Sequence, residues 1–430
     1  MPRPVDVIVL VTLLITLILA IDGNAVEPLG KAEAIQFGEG DWPWWRGPHR
    51  DGIVRSSQNL PLSWSDTDSV AWRTAIPGKG HGSIAVVGDR LYLATADQAS
   101  QTQSVLCLDR HHGNVLWQTK VHVGGFTEKG NKKSSLASST VACDGKRLFI
   151  NFLNNGAVHA TALDMQGNLL WQTRVADFLI HQGFGASPTL YESQVIVSAD
   201  SRAGGAIVSL DRVTGKEVWR HARPALANYT SPILLNVAGR TQVLLTGCDL
   251  VAGLDPGTGK SLWEIPGSTT ECVTSTVTDG KLIFTSGGYP KNHLAAVAAD
   301  GSGRIVWENS TRVYVPSMLV SDGHLFAVLD EGIAKCWECS TGIEKWKARL
   351  GGTFTASPVM VGNHIIAVNE AGQWFVFEAN PAEFKSLAEN KLGEEVYATP
   401  TVAYDHIYAR VAKYDGQERH EFIVCIGVGK

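Results

Sequence analysis

The chain has 430 residues, with Lys+Arg 37 against Asp+Glu 42, a net charge of −5, 44 Gly, 13 Trp and 7 Cys. Apolar residues make up 44%, enough for a large core and incompatible with disorder. No basic excess exists to meet phosphate, which excludes nucleic acid as an expected partner, and an odd cysteine count in so long a chain argues against a disulfide scaffold.

At the N-terminus, Arg3 precedes an apolar run from Val7 to Ile21 broken only by Thr12 and Thr16, and then comes Gly23-Asn24-Ala25. This is the pattern of a secretory signal. The run is shorter than the ~20 residues of a spanning helix, so cleavage near Ala25 and a periplasmic or extracellular location are expected. Membrane contact then arises only through an uncleaved anchor. Residues 26–69 form a leader with Trp42, Trp44 and Trp45 close together, expected to fold back as a clasp on the body of the protein.

From residue 70 to 426 two registers repeat. In the first, an acidic residue leads through a glycine to a tryptophan: Asp109, Gly113 and Trp117 have downstream equivalents ending in Trp171, Trp219, Trp263, Trp307 and Trp346. Trp72 stands alone upstream and Leu387 fills the eighth slot. Acid, glycine and returning aromatic describe a strand–turn–strand hairpin whose ring packs on a neighbouring unit. The second register is a hydroxyl column at Ser83, Ser138, Ser187, Ser231, Thr274, Ser317, Ser357 and Thr399. Asp-Gly turns at Asp144-Gly145, Asp279-Gly280 and Asp322-Gly323 separate the strands after it. Units of this length predict an all-β, eight-bladed β-propeller of four-stranded antiparallel blades. The strand at about 70–76, carrying Trp72, is expected to join the last blade and close the ring.

The Asp-x-x-Thr-Gly-x-x-x-Trp tail resembles the repeat of the pyrroloquinoline-quinone (PQQ)-like propeller family, which includes quinoprotein alcohol dehydrogenases and the outer-membrane assembly propeller BamB. The leader Asp41-Trp42-Pro43-Trp44-Trp45-Arg46-Gly47-Pro48 and the segment Gly78-Lys79-Gly80-His81-Gly82-Ser83 are similar to those of an exported bacterial subgroup. The resemblance implies fold more than activity. Family enzymes hold PQQ with adjacent cysteines, and no Cys-Cys pair occurs here. Cys336-x-x-Cys339 is succeeded by Ser340, where haem attachment needs His. The phosphate-loop look of residues 253–261 fails because Leu254 occupies a required glycine.

In a propeller the D-to-A and B-to-C loops open on one face around the axis. His81, Tyr229 and Tyr397 precede the hydroxyl column there, with His181 and Glu271 near, and Asp97, Asp200, Asp249 and Asp330 end B strands. These nine are the candidate binding residues; a cation or ligand would sit among them, whereas a purely structural role makes the acids ordinary turn formers. No catalytic or metal-ligating residue is assigned. The reading is an exported, non-catalytic monomeric scaffold that binds an envelope protein, a polysaccharide or a small ligand at the funnel. The alternatives are a PQQ- and calcium-dependent dehydrogenase of alcohols or sugars, and a polysaccharide-binding module.

Overall fold

A computed structural model describes Met1, residues 33–126 and residues 130–427; the signal-like run and Ala25 lie outside the described residues. Among the described residues every regular element is a β-strand. They form eight sheets, each of four antiparallel strands A to D, one sheet gaining a fifth strand from the leader. The eight-bladed propeller is therefore as expected. Blade 1 covers 85–123, blade 2 142–177, blade 3 189–223, blade 4 233–266, blade 5 277–309, blade 6 319–349 and blade 7 359–391. Blade 8 comprises 401–427 and takes Val70–Ile76 as its outermost strand, with Trp72 opposite Cys425. The two ends of the repeat array thus pair, and the ring has no open seam.

The tryptophans explain how the blades hold together. Each indole leans onto the C–D turn of the next blade, and several donate to its backbone: Trp72 to the Arg110 carbonyl at 3.0 Å, Trp171 to Arg212 at 3.2 Å, Trp307 to Cys339 at 2.7 Å and Trp346 to Asn380 at 2.7 Å. The turn glycine is what lets the ring approach. Gly113 has φ +73°, and a Cβ there would stand 2.3 Å from the Trp72 ring. A hydroxyl two residues after the indole adds a second tie, from Thr74 to the Gly113 carbonyl at 2.7 Å and from Thr119 to Gly167 at 2.6 Å. Trp219 and Trp263 are 8% and 6% exposed, and loss of a ring so placed costs about 3–5 kcal/mol.

Around the axis the hydroxyl column becomes two arcs of hydrogen bonds, one from blade 1 to blade 4 and one from blade 5 to blade 8. The Ser83 N–H donates to Thr140 Oγ1, the Thr140 N–H to Ser187 Oγ and the Ser187 N–H to Ser231 Oγ, all at 2.9–3.0 Å. Ser275 donates to Ser317, Ser317 to Ser357 and Ser357 to Thr399 in the same way. Two positions of the expected column are corrected: Thr140 replaces Ser138 and Ser275 replaces Thr274. Both lie in runs of consecutive hydroxyls, where spacing cannot choose the residue whose side chain turns toward the axis.

The leader enters the axial channel from the face of the A–B turns. Trp42 exchanges backbone bonds with Val86, Cys143 donates to the Pro43 carbonyl, and Met360 donates to Gly52. Ile53–Val54 run parallel to the innermost strand of blade 7. Arg46, 1% exposed, donates to the Met318 carbonyl at 2.5 Å, and burial brings its pKa down to about 10. Arg50 reaches the Leu190 carbonyl at 2.8 Å, the Tyr404 hydroxyl donates to Asp41 at 2.7 Å, and Trp45 Nε1 donates to Ser275 Oγ at 2.8 Å. Blades 1, 2, 3, 5, 6, 7 and 8 are all tied to this one segment. It is a plug at the centre of the ring.

Candidate functional site

With the channel stopped from one side, the opposite face keeps a blind funnel of about 200 Å³. Trp45 lies at its base and the hydroxyl ring forms its waist; His81, Tyr229 and Tyr397 form its wall. Every residue in that lining is uncharged apart from the titratable His81. His81 is carried by the loop entering blade 1, whose position is set by Gly80. A Cβ on Gly80 would meet the Arg410 guanidinium at 2.3 Å, and the Gly80 N–H donates to Glu421 at 3.1 Å. Glu421 in turn pairs with Arg410 and Arg419. Burial, then the charges of Lys79, Arg410 and Arg419, holds the His81 pKa well below its ordinary value, so the imidazole is neutral. Its ring lies 4.6 Å from that of Tyr397, whose pKa is pushed up to about 12 by burial and then by Glu395.

Two polar atoms of the lining residues are buried without a hydrogen-bond partner and have no accessible surface: His81 Nε2 and the Tyr229 hydroxyl. Burial, and after it the Glu271 charge, raises the Tyr229 pKa above the usual phenol value, so this group is a neutral donor–acceptor. Glu271, 3% exposed, stands behind the wall with His181 Nε2 at 3.3 Å and the Tyr314 hydroxyl donating at 3.3 Å.

The aspartates take a different role. Asp330, raised in pKa by burial, accepts the N–H groups of Tyr314 and Val315 at 2.8 and 3.2 Å. Asp200 binds Arg223 at 3.2 Å and accepts from Asn228 at 3.1 Å. Asp249 accepts from Thr270 at 2.8 Å. Each of these three follows a B strand and secures a D-to-A loop, Asp200 and Asp249 the loop leaving their own blade and Asp330 the loop entering its own. Asp97 caps its own turn through Ala99 and Ser100. Of the nine candidates the fold therefore brings His81, Tyr229 and Tyr397 to one cavity. Glu271 and His181 sit behind its wall, and the four aspartates are engaged in loop support. Sequence reasoning missed Trp45 as the floor and Tyr314 as the partner of Glu271. The signal for Trp45 was the aromatic cluster itself; Tyr314 carried none.

A profile described as outer membrane protein assembly factor BamB, built on the PQQ-type repeat, matches residues 52–125, 101–290 and 290–383. The chain belongs to this PQQ-like propeller family. Within the family's wider fold, the quinohemoprotein alcohol dehydrogenase of Comamonas testosteroni superposes with TM-score 0.66 at 15% identity, over 91% of this chain and 81% of that one. BamB from Moraxella catarrhalis gives 0.58 at 16% identity, over 82% and 98%. At such identities these likenesses establish fold alone. Two polyvinylalcohol dehydrogenases are similar in sequence. The one from Sphingopyxis sp. (strain 113P3) is 27% identical over 242 residues, 51% of this chain and 35% of the relative. The one from Pseudomonas sp. is 26% identical over 207 residues, 44% and 30%. The chain spans about a third of the length of these relatives.

Membership raises the question of whether this funnel fits PQQ with calcium. Calcium needs about six to eight oxygens, several of them carboxylate or carbonyl, but the lining holds no acid. Among the described residues no three His, Cys, Asp or Glu side chains gather as a metal-binding group. PQQ carries several carboxylates, and the lining offers no lysine or arginine to meet them. The cavity is also below the ~300–1,000 Å³ of ordinary cofactor sites. The residues at the axis do not fit that pair of groups.

Proposed function

We propose that this PQQ-like propeller is an exported, non-catalytic binding scaffold whose axial funnel receives its ligand, with residues before 26 acting as a signal and 26–69 as the plugging leader. The observation that carries the reading is the blind, uncharged axial funnel itself, lined by Trp45, a ring of serine and threonine hydroxyls and the side chains of His81, Tyr229 and Tyr397. A concave site on which several polar groups converge is where a ligand is held. The surrounding scaffold is suited to presenting a site: the hydroxyl ring and the leader hold the innermost strands in place. The BamB profile supports an envelope setting and an envelope protein or polysaccharide as the partner.

Capture from an envelope fraction by the tagged full-length chain tests this. A defined partner or glycan retained by the native protein, and lost when Tyr397→Glu places a charge in the funnel wall, is the expected result. Equal recovery with both proteins overturns it. A second reading, dehydrogenation of a hydroxylated substrate, is favoured by the similarity to polyvinylalcohol dehydrogenases. Titration with PQQ and calcium decides it: an absorbance change together with alcohol-dependent dye reduction would establish the enzyme and displace the scaffold.

A further inference from the structure

The connection entering blade 2 covers 124–141 and is the longest of the eight D-to-A loops. Its residues 130–135 lie on the face where the funnel opens. Asn131 seats them on the loop between blades 2 and 3: its N–H donates to the Gln182 carbonyl at 2.7 Å and its Nδ2 to Gln182 Oε1 at 3.0 Å. Gly130 permits that approach, since a Cβ there would stand 2.7 Å from the same carbonyl. On the return side, the His81 and Gly82 N–H groups donate to the Ala137 carbonyl at 3.0 and 3.2 Å. Between these anchors Lys133 reaches away from both, and its Nζ lies 2.7 Å from Glu370 Oε2. Glu370 follows the B strand of blade 7, and its second oxygen accepts from Thr355 Oγ1 at 2.6 Å. Thr355 belongs to the funnel lining. On the short way round the ring, blades 1 and 8 stand between blades 2 and 7. A bond joining those two beside the lining therefore crosses the mouth.

We infer that residues 130–135 are a strap across the mouth of the funnel, latched by the Lys133–Glu370 ion pair, and that the occupant enters when the latch is released. The inference takes from the proposed function only that the funnel is the ligand site. The two partners are suited to the task. The Glu370 side chain is 16% exposed and held in place by Thr355, whereas Lys133 at 57% is the free end. An ion pair so exposed favours the joined state only about two- to fivefold. Salt screens it, because the Debye length falls from about 10 Å at 0.1 M to about 3 Å at 1 M. The anchors at Gln182 and Ala137 are neutral hydrogen bonds, far less sensitive to salt. Release of Lys133 thus frees the middle of the strap while both ends stay attached.

A thiol inside the funnel reads the strap without any ligand. Val273 lines the cavity and keeps accessible surface, while the seven native cysteines are all buried. In Val273→Cys, fluorescein maleimide therefore reports access to the funnel, and the unsubstituted protein gives the background. The expected result is labelling about two- to fivefold faster when Lys133→Gln is added. Raising sodium chloride from about 0.1 M to 1 M should accelerate Val273→Cys alone to a similar extent and leave the Lys133→Gln protein unchanged. Lys133→Arg is expected to keep the slow, salt-sensitive rate. An unaltered melting temperature in Lys133→Gln separates release of a latch from loss of the fold. Equal rates with and without Lys133→Gln, or a salt response that survives Lys133→Gln, overturn the inference. If labelling responds as expected but envelope capture through the funnel fails, the strap stands and the funnel reading falls. If capture holds while labelling is indifferent to Lys133, the strap falls alone.

Discussion

Replacing Ser317 with alanine isolates one link of the axial ring. Ser317 is 1% exposed and its Oγ accepts the Ser275 N–H at 3.0 Å, while Ser275 is itself 2% exposed. The substitution leaves a buried backbone donor without a partner, which costs about 1–3 kcal/mol. The ring supplies its own control. Ser83 is 2% exposed but its Oγ has no partner, because the link from blade 8 back to blade 1 is not made. Ser83→Ala removes an unsatisfied hydroxyl and keeps the N–H bond to Thr140, so its stability is expected to be unchanged or slightly higher. With roughly 390 folded residues the unfolding entropy is about 0.8 kcal/mol/K, so Ser317→Ala lowers the melting temperature by about 1–4 °C. Urea unfolding monitored by both fluorescence and circular dichroism checks the free energy, with an unchanged slope required. Ser317→Thr is expected to recover most of the loss, since threonine serves at 140 and 399. Equal stability of Ser317→Ala and wild type, or an equal loss in Ser83→Ala, would refute the reasoning.

Gly113→Ala forces a φ of +73° on an L-residue and drives its Cβ into the Trp72 ring; a loss of at least about 1–2 kcal/mol is expected, with faster hydrogen exchange localised to Val70–Ile76. Arg410→Met strips one of two arginines from Glu421, 2% exposed, and should cost about 3–5 kcal/mol in urea unfolding, most of it regained when Glu421→Leu is added. His122 is held at a pKa of about 4 by burial and then by His159, against about 6.5 unfolded. The unfolded chain binds the extra proton between those values, so stability falls as pH drops from about 6.5 toward 4. His122→Gln should flatten that part of the denaturation–pH profile; an identical slope in the variant would show that other groups carry it.

How far the chain could be read depended on the range of the interactions. Acid–glycine–tryptophan turns are local, so blade number and strand order were legible, and Trp72 was identifiable as the closing strand by its isolation upstream. The hydroxyl ring was legible to within two residues, failing where Ser138-Ser139-Thr140 and Thr274-Ser275-Thr276 offer several hydroxyls in a row. The engagement of Asp200 was not legible, because its partner Arg223 belongs to another strand and only the folded blade brings them together. The same holds for Trp45. Its identity as an aromatic was plain, but its position under the funnel depends on a hydrogen bond to a residue 230 positions away.

The pairing of Val70–Ile76 with Glu418–Gly427 constrains when the molecule can exist at all. Val70–Ile76 has to wait for a partner made about 350 residues later, since Val70 pairs with Ile426. Folding to completion on the ribosome is thereby forbidden while the final repeat is still unmade. On the proposed export route this delay is an advantage: a translocating chain whose closing partner has yet to arrive stays threadable, and the wheel snaps shut only on the far side.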